Sequence, residues 1–253
     1  MTAVALHHVV TGRADGPVVV FSNSLGSTHR MWDAQVAAFE ERFRVVRYDT
    51  RGHGQSPAPD GPYTIDDLAD DLVALLDSLD VARAHLVGLS LGGMTVMRVA
   101  ARNPERVDRL AVLCTGAQLP PAAAWTDRAA TVRAEGSTAV AEAVVARWFT
   151  PGFPGDRGPW EAMVAATPAE GYAGCCEAIA ALDLRADLPR IGAPTLAIAG
   201  IDDTATPPAK LAEISDAVPG AKLIEVAHAA HLANAEQPGI ITPALIEHLE
   251  QQS

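Results

Sequence analysis

The run HLVGLSLGGMTVMRVAARNP, residues 85–104, decides how the rest of the chain is read. Its first five residues are an apolar run of strand length, and MTVMRVAARNP has the pattern of a helix that a proline stops. Between them stands Gly88-Leu89-Ser90-Leu91-Gly92, a G-x-S-x-G turn. A strand–turn–helix of this kind strains the serine and lifts its hydroxyl above a sheet. Glycines at 88 and 92 suit a crossing too close for a Cβ. The helix that follows points unpaired amides back at the turn, where negative charge can be stabilised. Taken alone, the motif reads equally well as a small-residue turn without chemistry.

Working outward, short branched apolar runs recur on both sides. Val18–Phe21, Arg44–Tyr48, His85–Leu89, Arg109–Cys114, Pro194–Ala199 and Lys222–Val226 are expected as strands covered on both faces. Residues 3–10 alternate less cleanly and suit an antiparallel edge strand. Thr64 can cap a helix in which Asp67 answers the backbone and Leu68, Leu72, Leu75, Leu76 and Leu79 share a face. Strand, crossover helix and strand imply a right-handed parallel unit. The expected class is therefore α/β, a mostly parallel central sheet flanked by helices. From Pro120 to about Pro189 no buried strand is evident. Trp125–Arg133, Thr138–Phe149 and Pro168–Leu182 read as helices, and Pro151–Pro159 as a loop. The expected organisation is a core of residues 1–119 and 190–253 with a helical cap, 120–189, inserted over the sheet's carboxyl edge, where ligands of such sheets bind.

Two later segments supply partners for Ser90. Gly200-Ile201-Asp202-Asp203-Thr204 follows the fifth run and offers an acid. Ala227-His228-Ala229-Ala230-His231-Leu232 follows the sixth and offers a base. A serine hydroxyl needs such a base, and the base an orienting carboxylate. The residues leave Asp202 and Asp203 as alternatives. Position favours His231 over His228 by a small margin, because it opens a loop entering a helix. Backbone amides of Leu91 and Leu25 are the candidates for an oxyanion hole, Leu25 because Gly26 lets the loop turn inward; an ordinary Asn/Ser/Gly turn is the plain alternative there. Tyr48–Ser56 reads as a hydrogen-bonded turn, not as a second dyad of Asp49 and His53.

Composition narrows the function. Nineteen basic against thirty-one acidic residues give a net charge of −12, without a basic stripe for nucleic acid or an anionic membrane. An anionic substrate would need a local arginine. No stretch has the length and apolarity of a membrane span, and the start lacks the pattern of a secretory signal, so a cytoplasmic location is expected. Cys114, Cys175 and Cys176 suit buried thiols in a reducing compartment and show no metal-like Cys/His spacing.

Seven segments together resemble the 3-oxoadipate enol-lactonases of the α/β-hydrolase superfamily, which serve the β-ketoadipate pathway of aromatic catabolism. They are NSLGSTHRMWDAQ (23–35), YDTRGHGQSP (48–57), GLSLGGM (88–94), RWFTPGF (147–153), GYAGCCEAI (171–179), AGIDDTATPP (199–208) and AHLANAEQP (230–238). They run almost the whole length. The cap segments are the selective ones, since YDTRGHGQS and GLSLGG occur across many α/β-hydrolases. The resemblance implies an α/β-hydrolase fold and a triad of Ser90, Asp203 and His231. It also implies oxyanion amides at Leu25 and Leu91, where Leu91 stands in a position often held by methionine. It implies a small anionic lactone as substrate and neither metal nor organic cofactor. The cap must then hold a carboxylate, for which Arg133 and Arg147 are the candidates with Arg128 behind them; for any single one of them a solvated helix-surface charge is the more ordinary reading. Trp125 and Trp148 are candidate pocket walls or, equally, packing between cap helices. The alternatives are a general carboxylesterase or lactonase, a cofactor-free perhydrolase, and a non-catalytic binding protein.

Overall fold

The computed structural model describes residues 2–251. Among these, seven strands form one sheet: β1 (His8–Gly12), β2 (Val18–Ser22), β3 (Arg44–Tyr48), β4 (Ala84–Leu89), β5 (Val107–Leu113), β6 (Thr195–Gly200) and β7 (Lys222–Val226). Their order is β1-β3-β2-β4-β5-β6-β7. β1 runs antiparallel to β3 at one edge, and all other pairs are parallel. Every residue of β4 and of β6 is buried, so the middle of the sheet is covered on both faces. That is why these strands read as unbroken apolar runs instead of alternating ones.

The helices are α1 (Asp33–Glu40), α2 (Ile65–Ser78), α3 (Leu91–Arg102), α4 (Ala122–Glu135), α5 (Thr138–Val145), α6 (Gly158–Ala165), α7 (Ala169–Ala180), α8 (Pro208–Ala217), α9 (Ala233–Glu236) and α10 (Pro238–Glu250). α2 packs on α3, and α1 on α10. The start of α2 is closed reciprocally: Asp67 N–H donates to Thr64 Oγ1 at 3.1 Å, and Thr64 N–H donates to Asp67 Oδ2 at 2.9 Å. A cap of this kind stabilises by about 1 kcal/mol. No described helix is long and apolar enough to cross a membrane.

Four helices, α4 to α7, lie between β5 and β6, with α4 along α7 and α5 against α6. One of them departs from expectation. α6 begins at Gly158, inside the Pro/Gly stretch read as a loop, and Pro159 is tolerated because it stands in the first turn. Aromatic contacts hold α6 in place: Phe149 stacks on Phe153 at 4.0 Å, and Trp160 meets both Phe149 and Trp148.

α7 meets the core backbone to backbone. A Cβ on Gly171 would lie 2.1 Å from the Gly52 carbonyl oxygen, so the helix could not approach the 49–56 turn with any larger residue there. Tyr172, next along, packs against Gly26 of the loop after β2. A second tie joins Trp148 and Thr150 to the far end of the chain. Leu232 N–H donates to the Trp148 carbonyl at 2.9 Å. Glu236 accepts from Thr150 N–H and from Ala230 N–H, at 2.9 and 2.8 Å.

Candidate active site

Ser90 stands between β4 and α3 with φ 56° and ψ −119°, a conformation that costs a non-glycine residue of order 1–3 kcal/mol. Surrounding bonds hold it there. Its N–H donates to Leu113 O at 3.0 Å, and its carbonyl accepts from Thr115 Oγ1 at 2.7 Å and Met94 N–H at 3.0 Å. The flanking glycines are sterically required: a Cβ at Gly88 would lie 2.3 Å from Gly92 O, and one at Gly92 would lie 2.2 Å from Ser22 O.

Asp203 follows β6 and is buried. Its Oδ1 accepts from Ala205 N–H at 2.7 Å and Thr206 N–H at 3.0 Å. Its Oδ2 accepts from Thr206 Oγ1 at 2.6 Å and from His231 Nδ1 at 2.8 Å. Burial works against its charge, but the His231 imidazole and the Thr206 bonds outweigh it and hold the carboxyl below its ordinary range. An ionised Asp203 fixes the proton of His231 on Nδ1 and leaves Nε2 as an acceptor. His231 and Ser90 line the same cavity of about 50 Å³. Asp202 and His228 are both exposed and neither lines it.

Leu25 lines the same cavity, in the loop after β2. His53 positions that loop. Its Nδ1–H donates to Arg51 O at 3.1 Å, so its Nε2 accepts, and the donor is Gly26 N–H at 2.9 Å. Burial pushes the His53 pKa down, which keeps the ring in that neutral form. The 49–56 turn is thus a brace for the Leu25 loop, and Asp49 bonds to His7 and His29 instead of to His53. Leu91 opens α3, where a backbone amide has no acceptor one turn back. The sequence reading missed Thr206 and the bracing bond of His53. Both lie in motifs that it quoted, but only the three-dimensional pairing shows what they hold.

The cap contributes Trp125, Trp148, Arg128, Arg147 and Tyr172 to the cavity wall. The expectation for Arg133 has to be corrected. Its guanidinium lies across α7, donating to Glu170 at 2.8 Å and to Glu177 at 2.5 Å, and it does not reach the cavity. Arg128, the reserve candidate, takes that place, with its guanidinium 4.7 Å above the Trp125 ring. Among the described residues, neither Arg128 nor Arg147 has a carboxylate at ion-pair distance. Burial lowers the Arg147 pKa, and the Arg128 charge lowers it further. The Tyr172 hydroxyl is buried beside the Arg128 guanidinium, and burial pushes its pKa up, so it keeps its proton. Two guanidiniums without a carboxylate partner and one protonated hydroxyl thus stand beside a serine–histidine–aspartate constellation, an arrangement with the chemistry to accept an anion next to the Ser90 hydroxyl.

Comparison with known proteins gives the same frame. The profile of the alpha/beta hydrolase fold family matches residues 17–145. The chain is 44% identical to 3-oxoadipate enol-lactonase 2 of Acinetobacter baylyi, over 93% of this chain and 89% of that one. The enol-lactonase of Burkholderia xenovorans LB400 superposes with a TM-score of 0.93 at 42% identity, covering 97% of this chain and 96% of that one. A hydrolase of Pseudomonas aeruginosa PA01 superposes with a TM-score of 0.94 at 41% identity, covering 97% and 94%. The chain belongs to the alpha/beta hydrolase fold family and, within it, to the carboxylic ester hydrolases of the lactonase and esterase type.

Proposed function

We propose that the enzyme opens the ring of 3-oxoadipate enol-lactone, a small unsaturated five-membered lactone with an acetate arm, and releases 3-oxoadipate. The observation that carries this reading is the pair of guanidiniums without a carboxylate at ion-pair distance, Arg128 and Arg147, on the wall of a small cavity that also holds Ser90 and His231. A simple ester gives no reason to keep two cations there, whereas a carboxylate arm does. The similarity to enol-lactonases over nearly the whole chain, cap included, supports it.

In this mechanism His231 Nε2 takes the proton of Ser90 as Oγ attacks the ring carbonyl. Asp203 holds the imidazole in the required tautomer and stabilises the imidazolium. Amides of Leu25 and Leu91 receive the oxyanion, and losing one such donor typically costs about 2.7–4 kcal/mol. Collapse breaks the ring C–O bond, and the proton held by His231 goes to the departing enolate oxygen. The enol stays tethered through the acyl group, and its ketonisation disfavours reclosure. Water activated by His231 then attacks the acyl-enzyme, and Ser90 recovers its proton. Arg128 and Arg147, with the Tyr172 hydroxyl, hold the acetate arm.

The test is turnover of freshly generated enol-lactone, followed by loss of its ultraviolet absorbance, beside hydrolysis of p-nitrophenyl acetate. The expected result is a kcat/KM for the lactone far above that for the ester, with both lost in Ser90→Ala. Fast ester hydrolysis without lactone turnover would reject the substrate and keep the hydrolase. Failure of an active-site phosphonate to label Ser90 would reject the mechanism.

A further inference from the structure

Outside the cavity, three residues far apart in sequence come together beside β1. His7 Nδ1 lies 3.0 Å from Asp49 Oδ2, and His29 Nδ1 lies 2.9 Å from Asp49 Oδ1. One ligand atom from each residue lies within 4.8 Å of the others. The two imidazole rings are tilted by 50° with centroids 5.5 Å apart, so they converge on one carboxylate. The Asp49 side chain is 2% exposed, while those of His7 and His29 are 27% and 15% exposed, which leaves an approach from solvent. We propose that His7, His29 and Asp49 bind a divalent first-row transition-metal ion, as a clip that ties the N-terminal segment to the loops bracing the active site.

The donor count allows this. Each Asp49 oxygen accepts one backbone amide, from His29 at 2.9 Å or Gln55 at 3.0 Å, and one imidazole. The amide bonds remain when an ion binds. As the two metal–nitrogen bonds form, each neutral imidazole carries its single proton on Nε2 and gives its Nδ1 lone pair to the ion, and the lone pairs of Asp49 that faced Nδ1 turn to the ion as well. Ligands at about 2.1 Å in a tetrahedral site are about 3.4 Å apart, so the two imidazole–carboxylate pairs, at 3.0 and 2.9 Å, open by a few tenths of an ångström, and the His7 and His29 ligand atoms, within 4.8 Å of each other, come to the same separation by side-chain adjustment. Two imidazoles and a carboxylate suit zinc, cobalt, nickel or copper, and suit magnesium or calcium poorly. Water would take the remaining position. The net charge of −12 raises the local concentration of any cation.

The placement gives the clip a purpose. His29 follows the Ser24–Ser27 loop, and the turn that Asp49 opens carries His53, which holds Gly26. An ion here fixes the N-terminal segment, the end of the Leu25 loop and the 49–56 turn to one another. None of its three ligands lines the catalytic cavity, so the clip does not depend on which ester the enzyme opens.

The test uses full-length protein freed of any polyhistidine tag, dialysed against Zn2+ and assayed for bound metal, with Co2+ as a spectroscopic probe. One equivalent of zinc and visible cobalt bands are expected in the wild type and in Ser90→Ala. Both should be lost in His7→Ala and in His29→Ala. They should persist in His8→Ala, whose Nδ1 is already 3.0 Å from Leu6 O, and in His228→Ala. Zinc should raise the Tm of the wild type and leave that of His7→Ala unmoved. Equal metal content in wild type and His7→Ala, or no bound metal in either, would overturn the proposal and leave the cluster as hydrogen bonding alone.

Discussion

Replacing Asp203 by Asn exchanges one carboxylate oxygen for an NH2 group, and the structure dictates which way the new amide must turn. Oδ1 of Asp203 receives two backbone N–H groups, from Ala205 and Thr206. An amide nitrogen there would face two donors with none of its own needs met, so the carbonyl oxygen of Asn has to occupy that side. Its NH2 then stands where Oδ2 was, facing His231 Nδ1, which lies 2.8 Å away in the wild type. A donor at that point forces Nδ1 to accept, moves the ring proton to Nε2 and removes the acceptor that Ser90 needs. The equivalent change in other Ser-His-Asp enzymes lowers kcat by about 10⁴, or about 5.5 kcal/mol of barrier. The assay is kcat for p-nitrophenyl acetate in Asp203→Asn beside Asp202→Asn, with circular dichroism to show that both are folded. Asp202→Asn should stay within about threefold of the wild type, since that side chain is exposed. A folded Asp203→Asn within tenfold of the wild type would refute the tautomer argument.

Three further outcomes are expected. Arg147→Gln and Arg128→Gln should raise KM for an anionic lactone about 10- to 100-fold, as the loss of a charge-assisted hydrogen bond does, and leave p-nitrophenyl acetate kinetics nearly unchanged; equal effects on both substrates would exclude a carboxylate anchor. Gly171→Ala should lower stability by about 1–3 kcal/mol, because its Cβ would strike the Gly52 backbone. Gly239→Ala, with open space around it, should cost nothing, and Tm values for the pair measure the difference. His248 is pushed down to about 4 by burial, so the unfolded chain takes up its proton first as acid is added. Its stabilising contribution is complete above about pH 6.5 and declines as pH falls towards 4, by up to about 3 kcal/mol. Urea titrations should show a shallower loss between pH 7 and 4.5 in His248→Gln, and parallel slopes would count against it.

What could be read from the chain follows the strength of the local constraint. Ser90 announces itself because α3 passes so close to β4 and to the end of β2 that neither Gly88 nor Gly92 can carry a side chain, so the restriction is written into neighbouring letters. The strands are legible because burial on both faces demands unbroken apolar runs. The cap is harder. α4 has the sequence AAAWTDRAATVRAE, with no clear apolar stripe to say which side faces the cavity. Arg128 and Arg133 are five positions apart, about 140° around the helix, so only one can point inward. Which one does is settled by Glu170 and Glu177, two turns apart on α7, which capture Arg133 from outside. Helix α6 was hidden for a different reason, since its Gly-Pro start imitates a loop. The convergence of His7, His29 and Asp49 has no local signature, because three separate segments supply one group each.

The bonds from Leu232 to Trp148, and from Glu236 to Thr150 and Ala230, bear on how such enzymes can be re-engineered. They make the inserted helices part of the scaffold that aims the histidine, not an interchangeable module set over finished machinery. Grafting another relative's 120–189 segment to change substrate preference would also cut the struts behind the base. A working chimera therefore has to carry residues 230–236 along with the transplanted helices, and recombination within this family should favour crossovers that keep those two stretches of common parentage.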